Sequence, residues 1–214
     1  MTVGVFVSAA SALAFAGALG GEAETSTQSA NEPVLGSADK PLLRRVPVIG
    51  RTPAYRPPPA GRVARSGRPV GGLRCSAARR PRVGVHLEVF ANEIDMVIPA
   101  GIGVAPPRAR SGAYVTGGRC SYPLRTLEPT GLIEAERGRR FTLGQFFSVW
   151  GQPLSPRRLV GFRARNRSRV RVYVNGRRWH GDPRRVRLAP HAAVVLEVGG
   201  YFPPTPRYVF PPGL

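Results

Sequence analysis

Phe141-Thr-Leu-Gly-Gln-Phe-Phe-Ser-Val-Trp-Gly-Gln-Pro-Leu-Ser155 is the stretch that most clearly specifies structure in this chain. Thr142 followed by Gln145 has the spacing of a capping box, in which the side chain of each residue accepts a hydrogen bond from the backbone amide of the other. Gly151 and Pro153 end the helix, since glycine adopts the left-handed conformation and proline cannot continue a helix. Four apolar residues fall on one helical face: Leu143, Phe146, Phe147 and Trp150. We predict one short, buried helix with a structural role.

Alternating patterns on both sides of this helix predict strands. Residues 83–90 alternate apolar and polar side chains, and residues 95–98 return as a second strand after a turn at Asn92-Glu93. Residues 170–174 alternate similarly before Asn175-Gly176, a strong hairpin signal. The expected fold is α+β, a small, mostly antiparallel sheet of two hairpin units with the capped helix across it, β-grasp-like or roll in type.

Three other segments complete this expectation. Residues 131–136 and 193–198 have strand patterns, whereas residues 105–121 are rich in Pro, Arg and Gly and are expected to form a surface loop. The aromatic and proline-rich residues 201–214 are expected to pack along the domain as extended chain.

The charge of the chain favours an anionic partner. Among its 214 residues, 32 are basic and 12 acidic, a net charge of +20, and Lys40 is the only lysine. Such an excess suits nucleic acid, phospholipid or an acidic cell-surface polymer. A GC-rich coding sequence would also produce arginines scattered over a solvated surface, so this alternative stays open. The sequence contains no recognisable nucleic-acid-binding module, which leaves an anionic envelope polymer or lipid as the candidate partner.

The N-terminal part predicts export. Residues 2–20 are apolar and uncharged, so residues 1–21 are expected to be a signal peptide or an N-terminal membrane anchor, although a basic leader start is missing. Residues 22–74 are polar and then rich in Pro and Arg, and are expected to be a disordered linker. A single domain is expected over 75–214, and the protein is expected to be extracellular or associated with the cell envelope.

Two cysteines are candidates for a disulfide. Cys75 and Cys120 fit an exported protein, because an oxidising compartment permits a bridge. Such a bridge would stabilise the fold by about 3 to 4 kcal/mol in the chain-entropy model. Metal binding by these two residues alone is a weak alternative, because they lie far apart in the sequence and belong to no Cys/His cluster.

The titratable residues form no recognisable catalytic motif. His86, His180 and His191 lack the spacing of a metal site, so surface or hydrogen-bonded roles are favoured. Glu134 and Glu136 share one face of a regular strand, where acid–base chemistry is possible but pairing with the neighbouring arginines is preferred. We therefore expect a protein that is not an enzyme.

Several stretches resemble a family of small exported bacterial proteins with no established function. The resemblance covers residues 83–214 and lies in these stretches: Val85-His-Leu-Glu-Val-Phe-Ala-Asn92, Pro99-Ala-Gly-Ile-Gly103, Cys120, Phe141 to Leu154, Val172-Tyr-Val-Asn-Gly176 and Phe210-Pro-Pro-Gly-Leu214. That family carries a histidine-rich segment, Leu-His-Thr-His-Asp-x-x-Gly-x-Ile-His-x-Glu, that looks like a metal site.

The corresponding segment here is Leu124 to Glu136, in which Arg125, Leu127 and Glu134 stand at the histidine positions. The resemblance thus implies a retained scaffold without the imidazole cluster. An arginine at position 125 would repel a divalent cation. We expect Arg125 to form an ion pair with Glu128 or Glu134 instead.

Three hypotheses follow, and the first is favoured. The chain is a non-catalytic binding or interaction domain of the cell envelope without a cofactor. Alternatively, it is a residual divalent-metal-binding protein that uses His86, Glu128 and Glu134, with His191 as a further ligand. The third hypothesis is electrostatic binding of an anionic polymer or lipid by the arginines.

Overall fold

A computed structural model of the chain describes residues 48–49, 61–92, 94–200 and 208–214. Residues 1–21 and most of the expected linker lie outside these residues. Within them, the structure is mixed α and β with few helices, and its sheets are mostly antiparallel. No helix among the described residues is long and apolar enough to span a membrane.

The elements follow one another in this order along the chain: β1 (Val48–Ile49), α1 (Arg62–Ser66), β2 (Arg82–Ala91), β3 (Ile94–Met96), β4 (Val104–Ser111), β5 (Tyr114–Ser121), β6 (Leu124–Arg125), β7 (Leu132–Glu136), α2 (Leu143–Trp150), β8 (Leu154–Ser155), β9 (Arg158–Leu159), β10 (Phe162–Arg163), β11 (Arg171–Val174), β12 (Arg177–Trp179), a 3₁₀ turn (Pro183–Arg185) and β13 (Ala193–Val198).

The main sheet is built around β2 and β13, which are parallel neighbours with Ala193 opposite His86 and Val198 opposite Ala91. β7 pairs antiparallel with the first half of β2, β3 with its end, and β11 with β13. β12 and β6 extend the sheet on its two sides, and β1 lies parallel to β3. β4–β5 and β8–β10 form separate small sheets.

Helix α2 confirms the prediction made from residues 141–155. Thr142 accepts a hydrogen bond from the amide of Gln145, whose side chain accepts one from the Thr142 amide at 3.0 Å. Gly151 ends the helix with φ of +75°. Five side chains of α2 are buried in the main apolar cluster: Leu143, Phe146, Phe147, Val149 and Trp150.

One face of the main sheet belongs to the same core. Val85, Leu87 and Val89 of β2 alternate into the apolar cluster beside Val194 and Leu196 of β13. The opposite face of β2 carries Gly84, His86 and Glu88, because successive side chains of a strand point to opposite faces. Residues 208–214 cover part of this second face, so the predicted polar side of the strand is buried near His86.

Two features differ from the sequence expectations. Residues 105–121 form most of the β4–β5 hairpin, so the prediction of a surface loop there is wrong. The hairpin accommodates Pro106-Pro107 because the register of the pairing shifts between Ala105 and Arg108. The folded body also begins before the expected boundary at residue 75. Ala64 of α1 and Leu73 are buried in the core.

Candidate anion-binding groove

A groove of about 730 Å³ lies beside the β11–β12 side of the main sheet. Five arginines line it together with small polar residues: Arg163, Arg165, Arg169, Arg171, Arg178, Asn92, Asn166, Ser168, Gly199 and Gly200. None of these described lining residues is acidic. The groove therefore offers guanidinium, amide and hydroxyl donors to a ligand, a set that suits an anion.

The segment from β10 to β11 supplies most of these arginines. Its buried residues Ala164 and Val170 are anchored by amide hydrogen bonds to the carbonyls of Arg157 and Pro156, at 3.0 and 2.9 Å. Between them, Asn166 adopts φ of +54°, and the carbonyl of Asn166 accepts a hydrogen bond from the Arg157 side chain at 2.6 Å. The apolar anchors and this turn leave the intervening arginines exposed.

Two of the arginines are held in place by neighbours. Nε of Arg171 lies 3.0 Å from a carboxylate oxygen of Glu197, which is 1% exposed and lies opposite Arg171 on β13. Arg178 donates to the Tyr173 hydroxyl at 3.2 Å, and its guanidinium lies 5.3 Å from the centre of the Tyr173 ring. These contacts orient the two guanidinium groups before any ligand arrives.

The other three arginines add further unpaired charge to that of Arg178, which among the described residues contacts the neutral Tyr173 side chain. Arg163, Arg165 and Arg169 are exposed, and within the described residues none of them forms an ion pair. A smaller cleft of about 320 Å³ provides a contrast, because there Glu136 lies among the arginines and pairs with Arg80 at 3.6 Å. The larger groove has no comparable neutralising side chain among its described lining residues.

The sequence contains a signal for this groove that our sequence analysis missed. Arginine occupies every second position of the run Arg163-Ala-Arg-Asn-Arg-Ser-Arg-Val-Arg171. The chain turns at Asn166, so residues of both phases reach the groove, including Asn166 and Ser168, whereas Arg167 does not line it. Asn92, Gly199 and Arg178 come from other segments, and only the tertiary fold brings them to the run.

His86 lies on β2 under the C-terminal segment. It is 3% exposed, and its Nε2–H donates to the carbonyl of Thr130 at 3.1 Å. Burial lowers the pKa of His86 from 6.5 to about 4, with the Thr130 hydrogen bond opposing the shift. The imidazole is therefore neutral near neutral pH, and the 3.7 Å approach of its Nδ1 to Glu88 is not an ion pair under those conditions.

The predicted carboxylate positions have separate partners. Glu134 accepts from Nε and Nη2 of Arg125 at 2.8 and 2.7 Å, one of the two pairings expected for this arginine, and Arg82 lies 3.9 Å away. Glu128 instead accepts from the Thr130 hydroxyl at 3.0 Å. Glu136 pairs with Arg139 at 3.7 Å, in agreement with the expected pairing to neighbouring arginines.

The remaining expected sites are also placed. His191 lies 2.6 Å from the carbonyl oxygen of Leu214 through Nε2, and its ring centre is 5.0 Å from that of Phe210. Cys75 and Cys120 form the expected disulfide, with Cα atoms 5.5 Å apart. Among the residues that the structure describes, no group of three or more His, Cys, Asp and Glu side chains is arranged to hold a metal ion.

Comparison with known proteins adds no assignment to this geometry. No protein-family model, curated protein or solved structure matches the chain.

Proposed function

We propose that this chain is a non-catalytic binding domain that acts at the cell envelope after export and holds an acidic polymer in the arginine groove. One observation carries the proposal: five arginines line a groove of about 730 Å³ whose described lining residues include no carboxylate. Guanidinium groups bind phosphate, sulfate and carboxylate through charge-assisted hydrogen bonds, often in pairs.

A polymer suits the groove better than a single small anion. The three exposed arginines Arg163, Arg165 and Arg169 are distributed along a segment of chain, whereas Arg171 and Arg178 are held across the two neighbouring strands. A ligand with repeated charges contacts several of these groups at once, and each contact releases counterions from the polymer.

A binding role also follows from the chemistry of the lining. Arginine side chains stay protonated near neutral pH, so they supply charge and hydrogen bonds but no proton transfer. Asn92, Asn166 and Ser168 add neutral polar groups. The proposed function requires no metal or other cofactor.

The proposed location rests on two features. Residues 2–20 have the apolar composition of an export or anchoring segment. The disulfide between Cys75 and Cys120 is compatible with an extracellular location, because oxidising compartments preserve such bridges.

Of the two expected fold types, β-grasp-like and roll, we propose the β-grasp-like arrangement. β2 and β13 are parallel and central, and each has an antiparallel neighbour, β7 and β11 respectively. Helix α2 follows β7 in the chain and contributes to the core.

A charge-matched pair of variants tests the polymer-binding proposal. The groove variant is R163Q/R165Q/R169Q, and the control R137Q/R140Q/R187Q removes the same charge from exposed positions outside the groove lining. Binding to fluorescent polyphosphate and poly-glutamate is measured over a salt series.

We expect the groove variant to lose at least about 1,000-fold in affinity for the polymer that it binds, since three charge-assisted bonds are removed and each contributes about 1.5 kcal/mol or more. Its slope of log affinity against log salt should fall by about 2, and the control should change little. Equal losses in both variants would show that general charge attracts the polymer, and would reject the groove.

A further inference from the structure

A second basic surface is built from two segments that contain no acidic residue. Neither 61–87 nor 96–127 includes Asp or Glu. The first segment carries α1, and the second carries the β4–β5 hairpin. The disulfide between Cys75 and Cys120 joins them, so their positive charges are held in one region.

Several further contacts fix the two segments together. Ser76 and Ser121 exchange backbone hydrogen bonds at 2.9 and 2.8 Å, directly beside the disulfide. The hydroxyl of buried Tyr122 donates to the carbonyl of Arg68, and Nη2 of Arg119 donates to the carbonyl of Ser66 at 2.7 Å. The surface is thus tied at four points between residues 66–76 and 119–122.

Arg108 lies in β4 and feels the charge of two other arginines, Arg110 and Arg65. Its Nε donates to the carbonyl of Val104 at 2.7 Å, whereas its Nη2 is enclosed and has no hydrogen-bond partner among the residues that the structure describes. Burial lowers the pKa of Arg108, and the charges of Arg110 and Arg65 lower it further. Neighbouring like charges repel each other, so a negatively charged partner stabilises them.

The same two elements carry exposed apolar side chains. Val63 of α1 is 48% exposed and Tyr114, at the start of β5 beside the hairpin turn, is 52% exposed. Arg62 and Arg65 are exposed on α1 at a spacing that places them on neighbouring turns of one helix face. Arginine with exposed tyrosine and aliphatic side chains is the composition of protein surfaces that lie at a lipid headgroup layer.

We propose that α1 and the β4–β5 hairpin form a disulfide-stapled basic surface that binds anionic phospholipid headgroups at a membrane. The surface comprises Arg62, Val63, Arg65, Arg108, Arg110, Tyr114 and Arg119. Its apolar side chains favour a lipid layer over a soluble polymer, because Val63 and Tyr114 gain from partial burial among headgroups. None of its residues lines the arginine groove, so the two surfaces share no residue.

Vesicle sedimentation of the full chain tests this proposal. The surface variant R62Q/R65Q/R110Q replaces exposed arginines, and R163Q/R165Q/R169Q is its charge-matched control. Vesicles contain either phosphatidylglycerol with phosphatidylcholine or phosphatidylcholine alone. Because all the proteins share the apolar N-terminal residues, binding to the neutral vesicles measures any contribution from that segment.

We expect the surface variant to bind the anionic vesicles about 100-fold more weakly, since each arginine near an anionic bilayer contributes about fivefold. The groove control should keep most of its vesicle binding, and the surface variant should keep its polymer binding. Equal weakening of both variants, or a larger loss in the groove control, would overturn the proposal.

Two further experiments distinguish binding to a membrane surface from binding to an isolated phosphate or a soluble polymer. Inorganic phosphate at constant ionic strength should not release the protein from anionic vesicles, and its release would mean that an isolated phosphate is the ligand. Y114S retains the full charge but should weaken vesicle binding severalfold, because an aromatic side chain no longer enters the headgroup layer. Unchanged binding by Y114S would contradict lipid contact and leave polymer attraction as the explanation.

Discussion

Tyr208 lies flat against His86, with the two ring centres 3.7 Å apart and the ring planes 8° from parallel. This contact joins the C-terminal segment to β2, the central strand of the sheet. It also shields the imidazole from water, and burial is the main reason that the pKa of His86 falls from 6.5 to about 4.

A pH-dependent loss of stability is expected from His86. Above pH 6.5 the imidazole is neutral in both states, and the stability that neutral His86 contributes to the fold is fully present. As the pH falls towards about 4, the unfolded chain binds a proton at His86 that the native protein does not bind. Wild type should therefore lose up to about 3 kcal/mol of unfolding free energy relative to H86F, and the loss should level off below that range. Denaturant unfolding at several pH values measures this difference, and a pH-independent difference would contradict it.

Asp95 should act in the opposite direction. Burial raises its pKa from 3.8 to about 6, so between these values the native protein binds a proton more readily than the unfolded chain. Relative to D95N, wild type should gain up to about 3 kcal/mol as the pH falls through this window. The two windows overlap, so the wild-type pH profile alone hides both effects. The double variant H86F/D95N should show a flatter profile than either single variant.

The disulfide should contribute strongly to stability. Cys75 and Cys120 are separated by 45 positions, and in the chain-entropy model a loop of this length contributes about 4 kcal/mol. We expect reduction to lower the unfolding free energy of wild type by this amount. C75S/C120S serves as the control and should not respond to the reductant. A change in wild type below about 1 kcal/mol would show that the other contacts between the segments suffice.

Two glycines with positive φ allow two costs of substitution to be compared, the strain of the backbone conformation and a steric collision of the new side chain. Gly103 has φ of +70°, and a side chain there would collide with the carbonyl of Leu124, whereas Gly112 has φ of +57° and open space around it. G112A should cost about 1 kcal/mol, the strain of an alanine in this conformation. G103A should cost at least about 3 kcal/mol, since the backbone must also move. Similar losses in thermal or denaturant unfolding would contradict the close approach at Gly103.

The parts of the fold that could be predicted from sequence are those specified by neighbouring residues. Thr142 and Gln145 cap α2 through bonds within one turn, and Asn175-Gly176 joins β11 to β12 with both residues at positive φ. These choices depend on local geometry and turn chemistry. The disulfide could also be predicted from the sequence, because Cys75 and Cys120 are its two cysteines and no alternative pairing competes.

The remainder depended on contacts between distant segments. Pro106-Pro107 in β4 suggested a loop, since the sequence does not reveal that the register shifts there. His86 occupies the polar phase of its strand, and contacts from distant segments, including Thr130 and Tyr208, bury it. In the groove, the alternating arginines are visible in the sequence, but the approach of Asn92 and Gly199 depends on the end of β13 reaching the end of β2.

The parallel pairing of β2 with β13 dictates when the molecule can fold. Ala193 and His86 are direct partners although roughly a hundred residues separate them, so β2 has to wait for nearly the entire chain before its central neighbour exists. Until then, the edge of β2 that β13 covers in the folded protein has no partner strand, and an unpaired apolar edge of this kind aggregates. Chains that terminate before residue 193 should therefore aggregate or be degraded rather than accumulate in folded form.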